Sequence, residues 1–361
     1  MSKITFENAA LAECIKKADR VAPSRGSSFD KAAGIVIEAS EDSVCVRATD
    51  LTIYYTEWIT ADFFEGDPIQ WRVPSKLFAQ IVGSLPIGSG KTCTLENQDG
   101  KLMLISGRIK AKIPLLDIDY FPTWQPFDTE SLVGTSDVGG RLEMVEWAAA
   151  KDNQPPWAGV LLDGTHALAC DKYRLARVPL SVPHLEEPII VPSNVLSGLI
   201  RQTGEIQMFA EGTNMMLMPD EHTQITTVLF DGQYPSLSKL LDTEYPLAVT
   251  LKKAQLLEIA NRVRGVVQSD RMAALSFIIG REEVVVMMSD AEAALMDAIE
   301  VPGQAVHDRV TIKFAPNNLI EAVDKVPSDQ VRIDYDPEHL MKVVHIDGGS
   351  GYEAWIAVRK D

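Results

Sequence analysis

Gly88-Ser89-Gly90-Lys91-Thr92 is the first segment to invite a chemical reading, because its glycines, lysine and threonine match the end of a phosphate-binding loop. Such a loop cradles phosphates with backbone N–H groups and carries a further glycine five positions before the last one. That position here is Leu85. The loop must also join a strand to a helix whose N-terminus faces the phosphates, whereas here a helical pattern led by Pro74 comes first and the strand-like Cys93-Thr94-Leu95 follows. The segment therefore reads as a glycine-rich turn between helix and strand. Acid–base chemistry fares no better, since Asp50, Asp171 and Asp290 each end a strand pattern but stand 121 and 119 residues apart. Equivalent places in separate units suit turn formers rather than a catalytic pair. The six histidines are dispersed without ligand spacing, and Cys14, Cys45, Cys93 and Cys170 form no C-x-x-C pair. Each cysteine lies among apolar neighbours, the setting of a buried reduced thiol. Catalytic residues, metal and cofactor are all expected to be absent.

The spacing of those aspartates belongs to a larger pattern that must position everything else. A proline opens an apolar helical stripe three times: Pro74 with Leu77, Phe78 and Ile81; Pro192 with Val195, Leu196 and Leu199; Pro316 with Leu319, Ile320 and Val323. An alternating strand runs into each aspartate, as Val44, Val46, Ala48, then Ala167, Ala169, then Val284, Val286, Met288. A second amphipathic helix opens each unit, on Leu11, Ile15, Ala18 and Ala22, on Leu142, Val145 and Ala149, and on Leu256, Ile259, Val263 and Val267. A period near 120 residues is that of a whole domain used three times. Hairpin signals at Asp99-Gly100 and Asp163-Gly164 and the alternation of Ile109, Ala111 and Ile113 with Arg108, Lys110 and Lys112 make each unit α+β, with two helices packed on antiparallel sheet. The proline-rich stretch after Phe121 and the stretch ending at Pro246 place the domains at 1–127, 128–247 and 248–361.

Composition limits the function classes. Hydrophobic residues make up 46% of the chain and charged residues 24%, ordinary for a globular protein with real cores. No apolar run approaches a membrane span, the N-terminus lacks a signal pattern, and a cytoplasmic location is expected. The net charge of −17 argues against a protein that grips nucleic acid through phosphates alone. Its distribution is uneven, because residues 252–271 carry five cations against two acids, and Lys16, Lys17 and Arg20 share a face of the opening helix with Arg25 just beyond it.

Three tandem α+β units with these residues resemble the bacterial sliding clamp family, the beta subunit of DNA polymerase III, over the full length. The resemblance is carried by Ala48-Thr49-Asp50-Leu51, Gly159-Val160-Leu161-Leu162, Ala169-Cys170-Asp171-Lys172-Tyr173-Arg174-Leu175-Ala176, Ser106-Gly107-Arg108, Phe121-Pro122 and Tyr234-Pro235, in that family's order and spacing. It implies a head-to-tail homodimeric ring around duplex DNA, held by topology, which needs only a weakly basic lining. It also implies a processivity factor that tethers the polymerase catalytic subunit and other partners and is placed on DNA by a clamp-loader ATPase. By position in the family, Arg25, Lys151, Asn153 and Gln154 face sequence-independent double-stranded DNA. Partner peptides would enter an apolar pocket walled by Trp157, Cys170, Tyr173, Arg174, Leu175, Pro235, Lys239 and Leu240. Met272, Asn318, Met341, Val343, Ile356, Ala357, Val358 and Arg359 would complete it. Arg108, Lys110 and Ile113 would meet Val266 and Val267 of a second copy across the dimer interface.

The chain departs from the family at Lys172-Tyr173, where glycine and histidine are usual, at Ala357, where proline is usual, and in the added Lys360-Asp361. Such drift would suit a clamp matched to its own polymerase, such as a phage's, and a peptide unlike the common one. Two rivals from other classes are a repeat scaffold that binds proteins without DNA and the nucleotide-dependent enzyme considered above.

Overall fold

In the computed structural model of the chain the order of elements repeats three times. The structure describes residues 2–23, 31–41, 43–123, 127, 130–136, 138–152, 154–196, 199–200, 205–266, 274–289, 294–301, 309–337 and 343–359. The first pass runs β1 (Lys3–Glu7), α1 (Asn8–Val21), β2 (Ile35–Ala39), β3 (Val44–Thr49), β4 (Ile53–Trp58), a short β5 (Phe63–Glu65), β6 (Ile69–Val73), α2 (Ser75–Gly83), β7 (Thr92–Gln98), β8 (Lys101–Ser106) and β9 (Ile109–Pro114). The second runs β10 (Leu132–Ser136), α3 (Val138–Val145), β11 (Gly159–Leu162), β12 (His166–Cys170), β13 (Arg174–Pro179), β14 (Ile189–Pro192), α4 (Ser193–Leu196), β15 (Ile206–Glu211), β16 (Asn214–Asp220) and β17 (Thr223–Val228). After the one-turn α5 (Ser238–Leu241) come β18 (Leu247–Lys252), α6 (Lys253–Val266), β19 (Leu275–Ile279), β20 (Glu283–Ser289), β21 (Ala294–Glu300), β22 (Val310–Phe314), α7 (Pro316–Asp324), β23 (Gln330–Tyr335), β24 (Val343–Asp347) and β25 (Glu353–Ala357). The architecture is α+β, with every strand pair among the described residues antiparallel.

Local chemistry explains the elements. Leu11, Ile15 and Ala18, one turn apart, are all buried under α1, and Pro316 opens α7 where its missing N–H costs nothing. Asp50 accepts hydrogen bonds from the N–H groups of Thr52 and Ile53 at 2.9 and 2.7 Å, and Asp171 accepts from those of Tyr173 and Arg174 at 2.7 and 2.9 Å. Those two aspartates are hairpin formers; Asp290 lies outside the described residues. Gly88 and Gly90 both take positive φ in the turn between α2 and β7, the helix-to-strand order that a phosphate loop lacks. The four cysteines are buried and unpaired, and burial pushes the Cys45 thiol to about 11 and the Cys93 and Cys170 thiols to about 12, leaving them inert.

By contact the chain divides into two compact units, residues 1–136 with 198–229, and residues 137–197 with 230–361. The first holds a five-stranded sheet, β5-β1-β7-β8-β9, and an eight-stranded one, β10-β15-β16-β17-β4-β3-β2-β6. The second holds an eight-stranded sheet, β14-β11-β12-β13-β25-β24-β23-β18, and a four-stranded one, β21-β20-β19-β22. Each eight-stranded sheet is two quartets from different repeats joined edge to edge, β17 to β4 and β25 to β13. A joint of backbone hydrogen bonds fixes register between repeats more firmly than side-chain packing alone. Among the described residues no helix is long and apolar enough to cross a membrane.

Candidate functional site

The β13–β25 joint creates the site. Its register pairs Leu175 with Trp355 and Arg174 with Ile356, and since successive side chains alternate, these two pairs face opposite sides of the sheet. Leu168, Cys170, Leu175 and Trp355 form a buried cluster on one side, covered by Trp157, Tyr234, Leu237, Leu240, Leu241, Tyr245 and Val343. A groove of about 280 Å³ opens there, walled by Trp157, Tyr173, Leu237, Leu240, Val343 and Ala357, with Trp355 as its floor. Tyr234 braces it: the Cys170 N–H donates to its hydroxyl at 2.8 Å, the hydroxyl donates to the Gly159 carbonyl at 3.3 Å, and its ring lies 6.0 Å from that of Trp157. The Ala357 N–H donates to the Tyr173 carbonyl at 2.7 Å, tying the tail to the β12–β13 turn.

Nine of the residues read from sequence as pocket wall border this groove: Trp157, Cys170, Tyr173, Arg174, Leu175, Pro235, Leu240, Val343 and Ala357. Ile356 does not. It is fully buried on the opposite, helix-covered face, one residue out of phase with Trp355. Arg174 touches the groove but directs its guanidinium to that same far face, pairing with Asp171 at 3.1 Å and with Glu321 of α7, and lying 5.5 Å from the Trp147 ring. Lys239, Asn318, Val358 and Arg359 are not part of the lining. Met272, Met341, Arg25, Asn153 and Val267 lie outside the described residues, and so does the Val266 side chain. Leu237 and Trp355 escaped the sequence reading, although Leu237 stands one helical turn before Leu240 and Trp355 alternates with Ala357 in the last strand.

Removing the guanidinium with Arg174→Ala should leave Glu321 without its buried partner. Breaking a buried pair costs about 3–5 kcal/mol, and the partial exposure of Glu321 puts the expected loss near the lower figure. Urea unfolding of the variant checks it.

Elsewhere, Lys151 is exposed with its ammonium 3.5 Å from Glu321, and Gln154 is exposed three residues on. Arg108 and Lys110 stand exposed on and just before β9, while Ile113 of the same strand is buried.

No family model matches the chain. The beta sliding clamp of Caulobacter vibrioides is 22% identical over 372 residues, covering 97% of this chain and 98% of that protein. Among solved structures, the DNA polymerase III beta subunit of Thermotoga maritima superposes with a TM-score of 0.84 at 18% identity over the whole of both chains. The chain has the beta sliding clamp fold and is similar to beta sliding clamps along its full length. Another clamp of this fold, from Helicobacter pylori, was solved bound to a DNA ligase peptide, with a TM-score of 0.79 at 17% identity, covering 99% of this chain and all of that one. The Helicobacter clamp thus binds a peptide, and this chain carries an apolar groove at the β13–β25 joint.

Proposed function

We infer that two copies of this clamp close head to tail into a ring around duplex DNA and that the ring tethers a polymerase and other partners through the Trp355 groove. The observation that carries the ring is the joint rule. Within the chain, the last strand of one quartet pairs with the third strand of another, as β17 does with β4 and β25 with β13. Among the described residues the strands in those places whose outer side is left unmatched are β9, paired only with β8, and β21, paired only with β20, each at the edge of its sheet. An edge strand presents a row of unmatched N–H and C=O groups, and β9 of one copy against β21 of a second would satisfy both rows. Repeating the contact at the other end closes a ring with no free edge of this kind.

In this reading the three domains span 1–127, 128–247 and 248–361, with the two internal joints and the two between copies built alike. The dimer contact then runs along β9 with Arg108 and Lys110, and β21 faces it rather than the end of α6 alone. Held by topology, the ring needs few phosphate contacts and tolerates a net charge of −17. It carries out no chemistry itself and is opened on DNA by a separate ATP-driven loader. Its place of work is the cell interior, where the DNA is.

The deciding experiment is retention on a nicked circle loaded with a clamp-loader ATPase. The ring should stay on the circle and leave once the circle is cut, and the free protein should size at about twice 39.7 kDa. A monomer, or equal loss from cut and uncut DNA, would sink the reading.

Lys151 and Arg25 are proposed to touch phosphates from inside the ring, together with Asn153 and Gln154. Replacing Lys151 by alanine should lower the slope of log affinity against log salt by about 0.9, the share of a single neutralised phosphate, with dimerisation intact. An unchanged slope would leave Lys151 as no more than the neighbour of Glu321.

A further inference from the structure

The ladder across the second unit sets side chains in rows. Starting from the groove, one row reads Cys170, Leu175, Trp355, His345, Asp334, each residue the register partner of the next. The adjoining row carries Arg177, Glu353, Asp347 and Arg332. An apolar floor therefore runs directly into a charged cluster with a histidine at the seam.

The contacts around that histidine are specific. Its Nδ1 lies 2.8 Å from Asp334 Oδ2 and its Nε2 3.3 Å from Glu353 Oε1. Its ring is 4.8 Å from the Trp355 ring on one side and 5.8 Å from Tyr245 on the other, nearly parallel to the latter. Arg177 sits 5.6 Å from the same indole and pairs with Glu353, and Arg332 pairs with Asp334 at 2.6 Å. Trp355 is thus flanked by two groups, His345 and Arg177, that both hold on to Glu353.

The geometry points to His345 as the positioning residue of the groove: its imidazolium, bridging Asp334 and Glu353, holds the Trp355 indole in place as the floor on which a partner's apolar side chain packs. This rests on the reading of the groove as the partner's seat. Nδ1 hydrogen-bonds Asp334 while Nε2 meets Glu353 as an ion pair, so only the charged ring holds both carboxylates; the neutral ring keeps one N–H and no charge, and must release one of them. Asp334 and Glu353 each have an arginine to turn to, so losing the second N–H frees the histidine and the indole packed against it.

The charge state supports the geometry. Burial works against the imidazolium, but the hydrogen bond to Asp334 and the pairing with Glu353 outweigh it and raise His345 to about 9. The pairing with His345 in turn leads in lowering Glu353 to about 2, against burial. Burial raises Asp334, but its bonds to His345 and Arg332 bring it below the usual carboxylate range, and burial pushes the Tyr245 phenol to about 12. A folded pKa above the unfolded one near 6.5 means the stabilisation is complete below pH 6.5 and is lost as pH rises through about 9.

The test follows indole and imidazole signals by NMR in the full-length protein labelled at tryptophan and histidine, with the Trp355 signal assigned through Trp355→Phe. Between pH 7 and 10 the Trp355 signal should move with the midpoint of the His345 titration, near 9, and should stay still in His345→Gln. An indole that does not move, that moves equally in the variant, or a His345 that titrates near 6.5 overturns the proposal, and the wild-type titration decides even if the variant does not fold. Affinity for the DNA ligase peptide bound by the Helicobacter relative should fall severalfold over the same range in the wild type and stay flat in His345→Gln. If that peptide binds at no pH, the reading of the groove as its seat fails, while the indole titration still decides whether His345 positions Trp355.

Discussion

Met296→Lys combined with Ala298→Lys is expected to convert the proposed dimer into a folded monomer that slips off circular DNA. Both residues are exposed on β21, on the side of the strand opposite to buried Ile299. The strand proposed to face them, β9, already presents Lys110 and Lys112. Like charges across adjacent strands are destabilising by about 0.2–1 kcal/mol a pair, and a two-copy ring has two junctions with two new lysines at each. The upper end, about 4 kcal/mol, weakens dimerisation roughly a thousandfold. Sizing in solution reads the result. Ile87→Lys serves as a control, because Ile87 is exposed on the turn between α2 and β7 and should leave the dimer intact. A doubly substituted protein that still sizes as a dimer would remove β21 from the interface.

How far the sequence reached can be judged residue by residue. The helix stripes were legible because burial of an amphipathic helix is a property of one segment: Leu11, Ile15 and Ala18, or Leu256, Ile259 and Val263, need no partner to reveal their face. The hairpin aspartates were legible for the same reason, since Asp50 and Asp171 bond to backbone two and three residues ahead. The tail was harder. Whether Trp355 or Ile356 faces the groove depends on the pairing of β25 with β13, some 180 residues earlier in the chain. A slip of one residue exchanges the faces, and the Glu353–Ala357 segment is apolar on both sides at its centre, so alternation gave no warning. His345 was invisible for a related reason: as one dispersed histidine it showed no ligand spacing, and only the three-strand ladder brings Asp334 and Glu353 to its two nitrogens.

The same parity decides how the groove should be tested. Deleting residues 356–361 would remove Ile356, which is fully buried among the helices on the far face, and would loosen the β13–β25 joint itself, so lost binding could not be separated from lost fold. Tyr173→Ala with Leu240→Ala is the cleaner variant, because Tyr173 is 63% exposed at the rim and Leu240 is only partly buried over the cluster. Full burial of one leucine or phenylalanine anchor is worth roughly 1.5–3 kcal/mol, and stripping two walls from around it should remove most of that. Affinity for the DNA ligase peptide, followed by the fluorescence of Trp157 and Trp355, is therefore expected to fall about ten- to hundredfold. Dimer size, thermal midpoint and retention on nicked circles should stay close to the wild type, since neither residue belongs to the paired strands of the β13–β25 joint or to β9 or β21. Binding that is indifferent to both changes, with the fold intact, would place the partner's seat elsewhere on the clamp.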